Sequence, residues 1–189
     1  SPNPKFQKRR RPYDIRLSCG RFLYFFVIIR ENPKAGQRMQ NVHEKVRREL
    51  YENRDEAYDT FNAALIPGAS DTIGVRVPVL RALAKRLAKD GWEDYFKEAD
   101  GTHEEKMIRA FLFAYVKDDD ALESSARDFV PKIADWAVCD AFCQSYQTAR
   151  RRTESTKEWI KHLAKSEREF EQRTACVLLL SHFLKTEPA

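Results

Sequence analysis

An indole and a carboxylate stand four positions apart in residues 135–143, the segment DWAVCDAFC. If this segment is a helix, Trp136 and Asp140 lie one turn apart on a single face, which Cys143 and Gln147 continue. A carboxylate beside a large apolar ring must be solvated, paired or used in chemistry. Asp140 is therefore a candidate catalytic residue. The alternative is a solvent-facing Asp140 that interacts favourably with the dipole of its own helix, and spacing alone leaves both interpretations open.

Cysteine and histidine give a weaker pattern. Cysteines occupy positions 19, 139, 143 and 176 without a C-x-x-C pair, and histidines at 43, 103, 162 and 182 lack metal-ligand spacing. A thiol nucleophile at Cys139 or Cys143 is disfavoured because no histidine lies near either residue in the sequence. The sequence thus predicts no metal site, and it favours buried, reduced thiols in a cytoplasmic protein.

The positive charge of the chain is concentrated at its beginning. The formal net charge is +5, but residues 1–38 hold ten Lys and Arg against two acidic residues, which leaves 24 basic against 27 acidic residues after position 38. Nucleic-acid binding by residues 39–189 must therefore depend on local basic patches. The run Arg150, Arg151 and Arg152 is a candidate phosphate-binding patch, and a solvated helix end is the alternative interpretation.

From Met39 onward the sequence has helical periodicity nearly throughout, with no convincing strand alternation. One predicted helix begins after Asp55, which can cap it, and ends at Pro67-Gly68. Its apolar face consists of Tyr58, Phe61, Ala64 and Leu65. Another predicted helix begins after Thr102, which forms a capping box with Glu105.

These helices are short, are joined by brief loops and recur about every 20 residues, so that pairs fall in the range of HEAT-type repeats. The sequence predicts an all-α fold, a solenoid of antiparallel HEAT-like helix pairs over residues 39–189. A compact helical bundle is the alternative. Because the final helix is not followed by a polar capping unit, we expect the chain to be incomplete at its C-terminus.

Residues 1–38 differ in character from the rest of the chain. A basic run at residues 8–11 precedes an apolar block at residues 22–29, which is too short to span a bilayer. The segment resembles a secretion signal only in having basic residues before an apolar core. We expect Met39 to be the natural start and residues 1–38 to be an N-terminal extension. A membrane-binding or nucleic-acid-binding arm is the alternative.

Four segments, GVRVPVLRALAKRLAKD, HEEKMIRAFLFAYVK, FVPKIADWAVCDAFC and EFEQRTACVLLLSHFL, occur in the order found in one known family. In them the chain resembles the AlkD-type DNA alkylation-repair glycosylases, over roughly residues 40–185. The resemblance implies a curved HEAT-like solenoid around DNA. It also implies that Trp136 and Asp140 are catalytic and that Arg173 contacts the DNA backbone at the lesion. The family uses a second tryptophan, which has no counterpart here.

The resemblance further implies a function, the excision of positively charged N3- and N7-alkylated purines from double-stranded DNA by a monomeric enzyme without metal, organic cofactor or membrane. A cationic base is a good leaving group, so the main demand is stabilisation of the oxocarbenium-like sugar. Asp140 would supply negative charge, Trp136 an electron-rich face, and Arg173 a bidentate phosphate contact. The open face of a solenoid suggests that base flipping is not required.

A non-catalytic HEAT-like scaffold for DNA or for a protein partner is the alternative function. The acidic balance of residues 39–189 favours the scaffold, whereas the combination of Trp136, Asp140 and Arg173 favours the enzyme. The two hypotheses differ in where these side chains should lie. An enzyme needs Trp136 and Asp140 open to the DNA-binding face, whereas a scaffold could bury both within the helix stack.

Overall fold

The computed structural model describes residues 33–67, 69, 71–97 and 101–184, and the regular secondary structure of this part of the chain is entirely helical. Its ten α-helices are α1 (Pro33–Glu52), α2 (Glu56–Leu65), α3 (Val77–Leu87), α4 (Trp92–Lys97), α5 (His103–Leu112), α6 (Asp119–Phe129), α7 (Trp136–Ser145), α8 (Thr148–Arg151), α9 (Thr153–Leu163) and α10 (Glu169–His182). A 3-10 turn, Val130–Lys132, follows α6. The prediction of an all-α fold is confirmed.

Local sequence determines where several of these helices begin. The Asp55 carboxylate accepts a hydrogen bond from the backbone of Tyr58 at 3.0 Å, as predicted for the cap of α2. Thr102 and Glu105 form the predicted capping box of α5, in which each side chain accepts from the backbone N–H of the other. Asp135 caps α7 by accepting from Val138 at 2.9 Å. These contacts satisfy N–H groups that lack partners within a helix.

Four helices that are not consecutive in the chain pack side by side in the order α3, α5, α7 and α10, and α9 packs against α10. Packing of alternate helices is the arrangement expected of stacked helix pairs. The curvature of a solenoid stays a prediction. Aromatic rings fill the core between these helices, where the ring of Phe113 lies 4.9 Å from Phe142, 5.8 Å from Tyr146 and 5.9 Å from Phe129.

A buried carboxylate fixes the segment that leads into α3. Glu104, only 1% exposed, accepts hydrogen bonds from the backbone N–H groups of Ile73 at 3.0 Å and Gly74 at 2.8 Å. Gly74 has φ of +87°, and a Cβ there would lie 2.5 Å from the Cβ of Asp59. Position 74 therefore requires glycine for both its conformation and its close approach to α2. This contact sets the position of α3 relative to α5.

The predicted apolar face of α2 is not buried. No residue of α2 is buried, and Phe61 and Leu65 are 59% and 50% exposed. Of this face only Tyr58 lines the cleft described below, where it is joined by Asn62 of the same helix. Periodicity alone cannot tell an apolar face that packs on the core from one that stays exposed.

The predictions about the N-terminal extension fall largely on residues 1–32, which lie outside the described residues. The predicted domain boundary after residue 38 stays a prediction. Among the helices that the structure describes, none combines the length and the apolar character that a membrane span requires.

Candidate functional site

A cleft of about 280 Å³ lies between α2, α3, α5 and α7. Each of these helices contributes side chains to its walls, among them Tyr58, Arg81, His103, Trp136 and Asp140. Two of the three residues that the sequence singled out for chemistry therefore share one concave surface. They lie on the wall formed by α7, whose neighbours in the packing order are α5 and α10.

Trp136 is the first residue of α7 and remains 41% exposed in the cleft wall. Its indole Nε1 donates a hydrogen bond to the backbone carbonyl of Leu65 at 3.3 Å. This bond joins α7 to the end of α2 and satisfies the polar edge of the ring while an apolar surface stays accessible. Trp136 is thus not a core anchor, which is the commoner role of a tryptophan at helical spacing.

Asp140 and Arg173 form a bidentate ion pair. Arg173 donates from Nε to Oδ1 of Asp140 at 3.1 Å and from Nη2 to Oδ2 at 2.9 Å. The side chain of Arg173 is 41% exposed and that of Asp140 is 29% exposed. The hydrogen bonds with Asp140 raise the pKa of Arg173 above its usual value. Arg173 belongs to α10, and its ion pair with Asp140 brings it to α7. Because Trp136 and Asp140 lie one turn apart on α7, the structure brings these three predicted residues together.

The predicted continuation of this face through Cys143 is wrong. Cys143 is fully buried and its thiol donates to the backbone carbonyl of Thr174 at 3.8 Å, while Gln144 is exposed and lines the cleft. Gln144, four residues after Asp140, lies on the face of α7 that lines the cleft, whereas Cys143 lies on the face that packs against α10. Burial raises the pKa of the Cys143 thiol far above its usual value, so it stays protonated at neutral pH.

The run of three arginines after α7 is engaged elsewhere. Arg151 and Arg152 pair with Asp119 and Asp120 of α6, at 2.5 Å and 2.6 Å, and Arg150 donates to a backbone carbonyl of α10 at 3.2 Å. None of the three lines the cleft. The pairing with α6 offsets much of the positive charge that made the run a candidate patch, and its contact with DNA stays a prediction.

Sequence reasoning missed Arg81. Its guanidinium lies 4.1 Å from the centre of the Phe111 ring in the cleft wall, with no carboxylate partner among the described residues. By contrast, Arg86 on the same helix is paired with Glu49 at 2.6 Å. Both residues look alike in the sequence, because the partners that distinguish them lie on α1 and α5.

Sequence reasoning also missed a buried pair at the cleft, His103 and Asp135. The imidazole Nδ1 lies 3.2 Å from Oδ2 of Asp135, and both side chains are about 5% exposed or less. Burial raises the pKa of Asp135, but the hydrogen bonds from His103 and from the Val138 backbone outweigh it and hold this pKa below its usual value. The two residues are 32 positions apart, so no local pattern could reveal the pair.

Within the described ranges, no three His, Cys, Asp or Glu side chains are grouped as a metal site would require. No curated protein and no solved structure matches the chain. A family model described as DNA alkylation repair enzyme does match, over residues 46–189. This match includes Trp136, Asp140 and Arg173 and covers well over half of the chain, which therefore belongs to the DNA alkylation repair enzyme family.

Proposed function

We propose that the protein is a DNA glycosylase that removes cationic N3- and N7-alkylated purines from double-stranded DNA and leaves an abasic site. Membership of the family indicates a role in DNA alkylation repair. The glycosylase reaction, a monomeric state and a cytoplasmic location are the proposal. The observation that carries it is a cleft lined by a half-exposed indole and by a carboxylate that is paired with a guanidinium.

Asp140 is the residue suited to stabilise the transition state. As the bond between the sugar and the alkylated purine breaks, positive charge moves from the base onto the sugar. A carboxylate fixed in advance stabilises that charge without reorganising during the reaction. Two hydrogen bonds from Arg173 hold the Asp140 carboxylate in one orientation, and 29% exposure leaves it open to a ligand.

Trp136 complements this carboxylate. Its exposed face can lie against the cationic base or the sugar, and the quadrupole of the ring attracts positive charge. The ring also displaces water from the neighbourhood of Asp140, which strengthens the interaction between carboxylate and sugar. The bond from Trp136 to the Leu65 carbonyl fixes the ring before DNA arrives.

Arg173 can hold Asp140 and a phosphate at the same time. A guanidinium carries five N–H donors, of which Asp140 occupies two. The remaining donors are available for a backbone phosphate, which would place the sugar of the lesion next to the carboxylate. Arg81 supplies a second guanidinium without a carboxylate partner within the described chain.

The scaffold hypothesis is less well supported by this geometry. It is favoured by the acidic balance of residues 39–189. However, a scaffold gives no reason for Trp136 and Asp140 to open into a cleft, and both do so.

The test compares release of a cationic and a neutral base. Two duplexes of the same sequence carry either N7-methylguanine or hypoxanthine, and single-turnover release is measured by strand cleavage at abasic sites. We expect release of N7-methylguanine and little release of hypoxanthine, which needs protonation to leave. Equal release of both would contradict the proposed use of a charged leaving group. Binding of both duplexes without release would support the scaffold.

A further inference from the structure

The proposed reaction leaves one proton unaccounted for. Hydrolysis of the glycosidic bond requires water to attack the sugar, and the attacking water must lose a proton. Asp140 is bound through both oxygens to Arg173, so protonating it would break that ion pair. The pair suits Asp140 for electrostatic stabilisation, and a separate acceptor would complete the reaction.

His103 has the geometry of such an acceptor. It lines the same cleft as Trp136 and Asp140, from the first turn of α5. Because an ionised carboxylate only accepts hydrogen bonds, Asp135 requires the proton of a neutral His103 to reside on Nδ1. The lone pair is then on Nε2. This nitrogen makes no hydrogen bond within the described residues and is not fully buried, so a water molecule can reach it.

We propose that His103 accepts the proton of the attacking water through Nε2, with Asp135 holding the imidazole in the required tautomer. This proposal rests on the glycosylase function proposed above. The bond between C1′ and the purine nitrogen breaks, and its electron pair leaves with the base, which departs neutral. The water oxygen bonds to C1′, and its proton passes to Nε2. Asp135 then stabilises the imidazolium until the proton returns to solvent.

The charges around His103 suit this role. Asp135 of α7 is in direct contact with the imidazole, while Asp140 of α7 shares the cleft, with its charge balanced by Arg173 of α10. Arg81 of α3 and the phenol of Tyr58 of α2 face the same space.

The experiment measures single-turnover release of N7-methylguanine at neutral pH, with spontaneous release subtracted. We expect His103→Gln to lower the rate about 100-fold, toward the lower end of general-base effects. Asp135→Asn keeps an acceptor for the Val138 backbone but turns an NH₂ group toward Nδ1. It should therefore shift the proton to Nε2 and cause a similar loss, and the double variant should be no slower than either single variant.

Two controls separate chemistry from structure. DNA affinity should be unchanged in His103→Gln, and added imidazole should restore part of the activity of His103→Ala. His162→Gln, on the exposed surface of α9, should behave like the parent. Full activity in His103→Gln, or no recovery of His103→Ala with imidazole, would overturn the role of His103 while leaving the glycosylase intact. Absence of release by the parent would overturn the glycosylase proposal, and this one with it.

Discussion

Arg173 and Asp140, 33 positions apart in the sequence, are joined by two hydrogen bonds of 3.1 and 2.9 Å that connect α10 to α7. The pair lies one helical turn from Trp136, beside a cleft that its carboxylate lines. A guanidinium that orients the carboxylate and retains free donors can align two groups at once, the sugar of the lesion and its phosphate. The following predictions test this arrangement and the contacts that support it.

Replacing Arg173 by Lys should separate charge from geometry. The ammonium group keeps the positive charge but cannot form two parallel bonds to Asp140 while also binding a phosphate. We expect DNA affinity to change little and the single-turnover rate of base release to fall by about tenfold or more. Arg168→Lys, at the N-cap of the same helix, where the arginine pairs with Glu171 instead of Asp140, is the matched control. Release by Arg173→Lys at the parent rate would show that geometry at this position is unimportant.

Arg81 should contribute one phosphate contact. The logarithm of the DNA association constant falls linearly with the logarithm of salt concentration, with a slope set by the number of phosphates neutralised. Arg81→Gln should make this slope shallower by about 1, measured by fluorescence anisotropy over a series of salt concentrations. Arg86→Gln, in which the lost guanidinium was paired with Glu49, should leave the slope unchanged. Identical slopes for the parent and Arg81→Gln would exclude this contact.

Glu104→Gln should destabilise the fold. The substitution keeps the shape of the side chain but turns an NH₂ group toward the backbone N–H groups of residues 73–75 that the carboxylate now satisfies. Loss of buried hydrogen bonds to a charged group should lower the free energy of unfolding by about 2–4 kcal/mol. Urea unfolding at neutral pH measures this change, with the exposed Glu154→Gln as control. A difference below about 0.5 kcal/mol, typical of surface substitutions, would contradict the role of Glu104.

The pair between Asp119 and Arg151 should make stability depend on acid pH. The hydrogen bond from Arg151 is the main cause that lowers the pKa of Asp119 from its ordinary 3.8 to about 2. A carboxylate with a lowered pKa in the folded state stabilises the protein above its unfolded pKa, and this contribution is lost as the pH falls through the folded pKa. The stability advantage of the parent over Asp119→Asn should therefore shrink between about pH 4 and 2. Parallel stability curves would contradict the pairing.

Sequence could predict the parts of this molecule that depend on neighbours along the chain. The caps at Asp55 and Thr102 and the shared face of Trp136 and Asp140 are local, because one helical turn determines them. The same locality explains the error at Cys143, since residues three and four positions away both lie near a helical face. Only the partner helix, α10, decides which of them is buried.

Contacts between distant segments were beyond local patterns. Arg173 was identified through the resemblance to a family, whereas its bond to Asp140 needed the structure. The pair of His103 and Asp135 depends on how α5 meets α7. That Arg81 lies over Phe111 and has no carboxylate partner among the described residues depends on which residues face α3. The exposure of Phe61 and Leu65 on α2 likewise depends on which elements pack against that helix.

The most direct test of the account is base release from duplex DNA carrying N7-methylguanine by the parent, Asp140→Asn and Asp119→Asn. Both variants lose a carboxylate from a pair with arginine, but only Asp140 lines the cleft. We predict that Asp140→Asn lowers the single-turnover rate by about 100-fold or more with DNA affinity retained, while Asp119→Asn remains active. Undiminished release by Asp140→Asn would contradict the central claim that this carboxylate stabilises the transition state.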